Sequence, residues 1–282
     1  MPHAHNSAAE SFMVSTFLII AALFYARGWV RIRKGNQDTI GCWRAGSFFI
    51  GLFFVWAAVA SPLATLDHEL LTAHMVQHLL LMTFAAPLIC LGAPVKAVLR
   101  GLPQGLVQAL ARPLSCSAAV QRLGRLLTNP AVCWFGATAT LVGWHIPVLF
   151  RLGMQSGAWH AFEHASFLAT GLLFWWPVVE PGSTSSRMPE LAILLYLFLA
   201  TLPCDILSGF LVFCDRVVYP AYLSSSHPFG MSALQDQQCA GALMWTCVTV
   251  VYLVAGAIVT ARLLLPVLSP APRTIPQSME VV

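Results

Sequence analysis

Residues 70–91 read LLTAHMVQHLLLMTFAAPLICL, 22 residues without one Asp, Glu, Lys or Arg, and His74 and His78 lie four apart within them. As a helix rising about 1.5 Å per residue, this stretch is about 33 Å long, enough to cross roughly 30 Å of hydrocarbon. Similar apolar runs occupy 11–30, 43–61, 130–150, 159–178, 191–213 and 237–265. With 58% apolar and 9% charged residues, the composition lies outside the range of soluble domains. The expected fold is an all-α integral membrane protein, a bundle of seven transmembrane helices.

Orientation follows from the basic residues. The first run has none before it and is followed by Arg27, Arg31, Arg33 and Lys34, so it reads as a retained start-transfer helix with the N-terminus outside. Alternation then puts Arg44, Lys96, Arg100, Arg112, Arg122, Arg125, Arg187, Arg262 and Arg273 inside with them, and only Arg151 and Arg216 outside. The C-terminus falls inside. The net charge of +4 is therefore a topology signal spread over short loops, and it gives no basic patch dense enough for nucleic acid.

The expected organisation is an outer N-terminal tail over 1–10 and one transmembrane domain over 11–268. That domain includes an inner-surface amphipathic segment at 95–128, broken by Pro103 and Pro113. The proline-bearing tail 269–282 reads as disordered.

On this topology no histidine lies on the inner side. His74 and His78 fall in the first turns of the third span, His145 in the last turns of the fourth, and His160 and His164 in the first turns of the fifth. Residues four apart share a helix face, so each HxxxH aims two imidazoles at one point, as in helical metal sites. Imidazole suits copper, zinc, iron or nickel. Met75, Met82 and Cys204 are candidate soft ligands that tilt the choice towards copper. Intramembrane carboxylates need a partner or a role, so Glu163, Asp205 and Asp236 are candidates for orienting ligands or relaying protons.

Each assignment has a structural competitor. His145 can hydrogen-bond across helices. Asp67, Glu69 and Asp236 stand where helix capping favours an acid. His3 and His5 belong to the N-terminal tail and His227 to a loop. Cys214 and Cys239 can pair as a disulfide or as soft ligands, whereas Cys42, Cys90, Cys116 and Cys133 read as small buried hydrophobes.

Several segments occur together in order. They are His74-Met-Val-Gln-His78, Ala86-Pro87-Leu88, Leu91-Gly92-Ala93-Pro94, Trp144-His145-Ile-Pro147, His160-Ala-Phe-Glu163-His164, Phe174-Trp175-Trp176-Pro177, and Asp236-Gln237-Gln238 leading to Gly241 and Met244-Trp245. This series resembles the multi-span CtaG family of cytochrome c oxidase assembly factors, distinct from the single-span copper chaperone that shares the label. The resemblance implies a multi-pass bacterial inner-membrane protein that matures an aa-type haem–copper oxidase by helping copper reach it. It implies oxidase subunits and an outer copper donor as partners, and no catalysis. It maps the family's histidine motifs to His74, His78, His145, His160 and His164, and its acidic positions to Glu163 and Asp236. Where the family commonly has an acid before the Asp-Gln-Gln run, this chain has Gln235. The segment 215–235 is the expected client docking loop. Two other classes fit the same residues: a zinc-dependent intramembrane hydrolase with Glu163 or Asp236 as base, and a haem protein with two axial histidines.

Overall fold

The computed structural model describes residues 3–35, 40–109, 117–179, 188–225 and 229–268, and all regular structure among them is helical. The longer helices are α1 (His3–Lys34), α2 (Cys42–Val59), α3 (Leu71–Leu91), α4 (Pro94–Gly101), α5 (Ala118–Leu127), α6 (Pro130–His145), α7 (Pro147–Gln155), α8 (Gly157–Val179), α9 (Glu190–Phe213) and α10 (Ala233–Leu268), with short helical turns at Leu63–Leu66 and Pro220–Ser224. The tail 269–282, the stretch 110–116 of the amphipathic segment, and His227 lie outside the described residues.

Among the described residues five stretches are long and apolar enough to cross a membrane: Ser11–Lys34, Cys42–Leu66, Leu71–Leu91, Glu190–Phe213 and Ala233–Leu265. α5 and α6 add a sixth if that pair, bent by 67°, counts as one span. Two local causes separate this from seven uniform runs. α8 has the length of a span at 23 residues, but His160, Glu163 and His164 lower its mean hydropathy. The run 130–150 is not one helix, because Pro147 forces the preceding Ile146 into an extended conformation (φ −68°, ψ 126°) that ends α6 after 16 residues. At the other end of the chain, α1 already begins at His3, so the stretch expected as a tail is continuous with the first helix.

α3 is the central helix. Of its apolar window 61% is buried, against 11% for α1, so its two histidines face protein and not lipid. One hydrophobic cluster joins α3 to α8, α9 and α10, and a second joins it to α1 and α2. Residues Leu79–Ala85 of α3 form a π-helix. Pro87 has no N–H for the Thr83 carbonyl, and the wider turn, in which the Ala86 N–H reaches the Leu81 carbonyl, carries the chain past it. The Met82 carbonyl is capped by the Trp175 indole N–H at 3.1 Å. Trp175 and Phe174 stand in an aromatic layer with Tyr196 and Tyr252, where Phe174 stacks on Tyr196 at 4.8 Å.

Close approach of small residues sets the α1–α4 crossing. A Cβ on Gly28 would overlap the Ala97 carbonyl, and one on Gly101 would overlap the Phe24 carbonyl, so backbone meets backbone as in small-residue membrane contacts. Gly101→Leu is expected to destabilise the folded protein by about 1–3 kcal/mol through overpacking. Thermal denaturation in detergent tests this, and an unchanged midpoint would contradict it.

Candidate metal centre

Three helix ends and one loop converge at one end of the bundle. α3 contributes His74 and His78 from its first turns, α6 contributes His145 as its last residue, and α8 contributes His160, Glu163 and His164 from its start. Asp67 comes from the turn before α3.

The start of α3 is held from outside its own sequence. Asp236 at the head of α10 accepts hydrogen bonds from the Leu71 N–H (2.6 Å), the Thr72 N–H (3.1 Å) and the Thr72 hydroxyl (2.6 Å). The helix-capping residue Leu70 has no side chain able to do this; a carboxylate on orphan helix N–H groups does it with charge as well. Asp236 caps a neighbouring helix, and that contact fixes where His74 stands one turn on. The next residue, Gln237, holds the overlying loop: its Oε1 accepts from the Val218 N–H at 2.7 Å and its Nε2 donates to the Leu211 and Arg216 carbonyls at 3.3 and 3.2 Å.

That loop reaches back to the site. Tyr222 donates its hydroxyl to the Asp67 carbonyl at 2.7 Å and Tyr219 donates to the His145 carbonyl at 2.9 Å. Burial raises both phenol pKa values well above the usual value, Glu163 adding to it at Tyr219 and Asp67 and Asp236 at Tyr222, so both remain O–H donors at any ordinary pH.

Glu163 and Asp67 organise the ligands. Glu163 Oε1 lies 3.4 Å from His74 Nε2 and 3.3 Å from His78 Nε2. Asp67 Oδ2 lies 3.4 Å from His160 Nε2, while its Oδ1 is 3.7 Å from the exposed His68. Two three-ligand groups result, His74–His78–Glu163 and Asp67–His74–His160, in each of which the ligand atoms lie within 4.8 Å of one another. His74 belongs to both. It is 0% exposed, and both carboxylates are 1% exposed.

These distances suit shared coordination better than hydrogen bonding. Charge-assisted N–H···O bonds run about 2.7–2.9 Å, whereas two donors about 2.1 Å from one tetrahedral ion lie about 3.4 Å apart. The bonding inventory agrees. Both nitrogens of His74 and of His78, both oxygens of Glu163, Asp67 Oδ1, His160 Nε2 and His164 Nε2 are buried without a hydrogen-bond partner among the described residues. Each such group costs roughly 1–3 kcal/mol or more when left unsatisfied, and a cation bound among the Nε2 and carboxylate oxygen atoms would offset part of that cost. A mixed imidazole and carboxylate donor set fits divalent copper or zinc.

The remaining assignments divide. His164 stands beside the groups, its ring 4.2 Å from that of His160 and 5.7 Å from that of His78. His145 turns away: Nδ1 donates to the Leu141 carbonyl at 2.7 Å and Nε2 faces Met75 Sδ at 3.3 Å. Met75, Met82 and Cys204 line a cavity with His78 and His145 instead of joining the carboxylates. Asp205 belongs to neither ligand group, although its Oδ1 is buried and unpartnered. Cys214 and Cys239 are free thiols, not a disulfide.

Asp67 is the ligand candidate that sequence reasoning took for a cap. Its signal is that Asp236 already caps α3, which only the fold reveals. Gln77, fully buried with both amide atoms unpartnered among the described residues, was also missed. It lies between the two histidines of the HxxxH, and a buried amide there is its only signal.

Fold and site together define a polytopic helical membrane protein with a buried histidine–carboxylate cluster at one end of its bundle. The chain belongs to the family of cytochrome c oxidase caa3 assembly factors (Caa3_CtaG), whose model matches residues 23–265. It is similar to an uncharacterized protein of Mycobacterium leprae, 25% identical over 243 residues that make up 83% of this chain and 36% of the relative. A similar uncharacterized protein of Mycobacterium tuberculosis is 25% identical over 251 residues, 86% of this chain and 37% of that one. The chain thus spans little more than a third of these relatives. No solved structure matches it.

Gly153 on α7 tests the positioning. A Cβ there would come within 2.5 Å of Glu163 Oε2, so Gly153→Ala is expected to push the carboxylate off His74 and His78. Metal affinity should fall between about 10-fold and 100-fold, the range for groups that orient ligands. An unchanged titration would show that Glu163 does not hold the ion. Asp236→Asn is expected to lower stability by about 1 kcal/mol through weaker capping, read as a lower thermal midpoint, with metal retention falling alongside it.

Proposed function

We propose that this chain is a multi-pass protein of a bacterial inner membrane that binds copper at the His74–His78–Glu163 and Asp67–His74–His160 groups and aids its delivery to an aa-type haem–copper oxidase. The observation that carries the reading is the set of buried, unpartnered imidazole and carboxylate atoms at 3.3–3.4 Å separations, inside a member of an oxidase assembly family. Seven spans with the N-terminus outside is the topology that reading uses. α8 then counts as a span despite its polar residues, and the basic residues of the short loops stay inside. The cluster then lies near the outer face, where a copper donor can meet it and an oxidase subunit can collect from it.

The residues divide the labour along the depth of the site. His68 is exposed and sits 3.7 Å from Asp67, which makes the Asp67–His68–His160 rim the place where an ion exchanges with a partner's ligands. His74, stacked on His160 at 5.5 Å between ring centres, belongs to both groups, so an ion passing between them keeps one ligand throughout. Glu163 supplies the negative charge that offsets a divalent ion below the rim. The protein is not a catalyst in this account, and copper is its cargo.

A second reading has one specific observation in its favour. Two histidines and a glutamate form the donor set of several catalytic zinc sites, and here His74, His78 and Glu163 form such a set. In that case the chain is a zinc-dependent membrane hydrolase with Glu163 as ligand, not base.

The deciding experiment is complementation of a strain lacking this protein with wild type, His74→Ala or Glu163→Gln. Both variants are expected to insert normally and to leave the oxidase with at least about tenfold less copper and activity. Full oxidase maturation by both variants would overturn the proposal, and hydrolase turnover dependent on zinc would replace it with the second reading.

A further inference from the structure

Below the carboxylates the lining of the bundle changes character. A cavity of about 40 Å³ is bordered by Met75, His78, Met82, His145, Cys204 and Met244. That volume is room for an ion or a water or two, not for an organic cofactor. Among the described residues no Asp or Glu borders it, and Phe174 and Tyr252 from the aromatic layer also line it.

One contact within it is unusual. His145 Nδ1 lies 2.7 Å from the Leu141 carbonyl, and a carbonyl can only accept, so Nδ1 carries the proton and Nε2 presents its lone pair. That lone pair points at Met75 Sδ, 3.3 Å away, and a thioether has no hydrogen to offer. Two electron-pair donors therefore face each other, an arrangement that favours a cation between them. Nitrogen at about 2.0 Å and sulfur at about 2.3 Å from one ion stand about 3–4 Å apart. The observed separation falls in that range.

We propose that this cavity is a second metal site, selective for a soft monovalent ion of the copper(I) type, distinct from the carboxylate–histidine centre and sharing only His78 with it. Thioether, thiol and imidazole donors select such an ion over a divalent one, and a lining without carboxylates suits a single positive charge. The π-helix of α3 underlies the site, since it sets the register of Met82 relative to Met75 and His78 on the same helix. Only the identity of the ion rests on the reading of the chain as a copper handler.

Silver(I), a redox-inert stand-in for copper(I), is the probe. It is titrated into the detergent-purified protein carrying Cys42→Ser, Cys214→Ser, Cys239→Ser and Cys247→Ser, which removes the thiols that are not buried among the described residues, with zinc(II) titrated in parallel. The expected result is one silver ion per chain. Its affinity should fall at least tenfold in Met75→Leu/Met244→Leu and stay within threefold in Glu163→Gln. Zinc binding should show the reverse pattern, and zinc retained by the methionine variant certifies its fold. Silver binding that is absent, indifferent to the methionines or lost in Glu163→Gln would overturn the second site. Silver binding intact alongside no zinc or copper(II) binding would sink the carboxylate–histidine centre and leave this site standing.

Discussion

Uncompensated buried polarity is the constraint around which the molecule is arranged. Imidazoles and carboxylates lie at one end of a bundle whose outward faces are apolar, and most of their nitrogen and oxygen atoms have no hydrogen-bond partner among the described residues. In hydrocarbon surroundings there is no water to make good that loss. On the proposed reading a cation takes the place of the missing partners, and the 3.3–3.4 Å donor spacing fits ligands around one ion.

Holding such donors in place demands a rigid frame, and the frame is built from contacts remote in sequence. Asp236 reaches 165 residues back along the chain to the Leu71 N–H. Tyr222 fixes the turn that carries Asp67, Tyr219 fixes the end of α6, and Gln237 pins the loop that bears both tyrosines. None of these four side chains supplies a ligand atom to the two groups, yet Asp236 sets the helix turn that carries His74 and Tyr222 the turn that carries Asp67. The Asp-Gln pair at the head of α10 has an architectural part in this structure: Asp236 caps α3 and Gln237 pins the loop.

The helical membrane class was legible because long apolar runs admit one solution in lipid. The histidine pairs were legible because four-residue spacing on a helix is a local property, and Glu163 was legible as an intramembrane charge. What escaped was set by geometry between elements. Asp67 precedes α3 as a helix cap would, but Asp236 fills that role from α10. His145 shares an end of the bundle with the other histidines, but the Leu141 carbonyl turns its ring towards Met75. The break at Ile146 was written in Pro147, and apolarity alone concealed it. α8 was legible as the run 159–178, although its site residues His160, Glu163 and His164 make its start polar.

The central claim is that a metal ion completes the buried donors, and metal content of the detergent-purified protein tests it most directly. Cells are grown with copper and zinc both available, and wild type is compared with His74→Ala, which removes the ligand common to both groups. The predicted result is one copper ion per chain more in the wild type than in the variant, since the methionine-lined cavity does not use His74. A folded wild-type protein that carries no metal and takes up none on titration would contradict it.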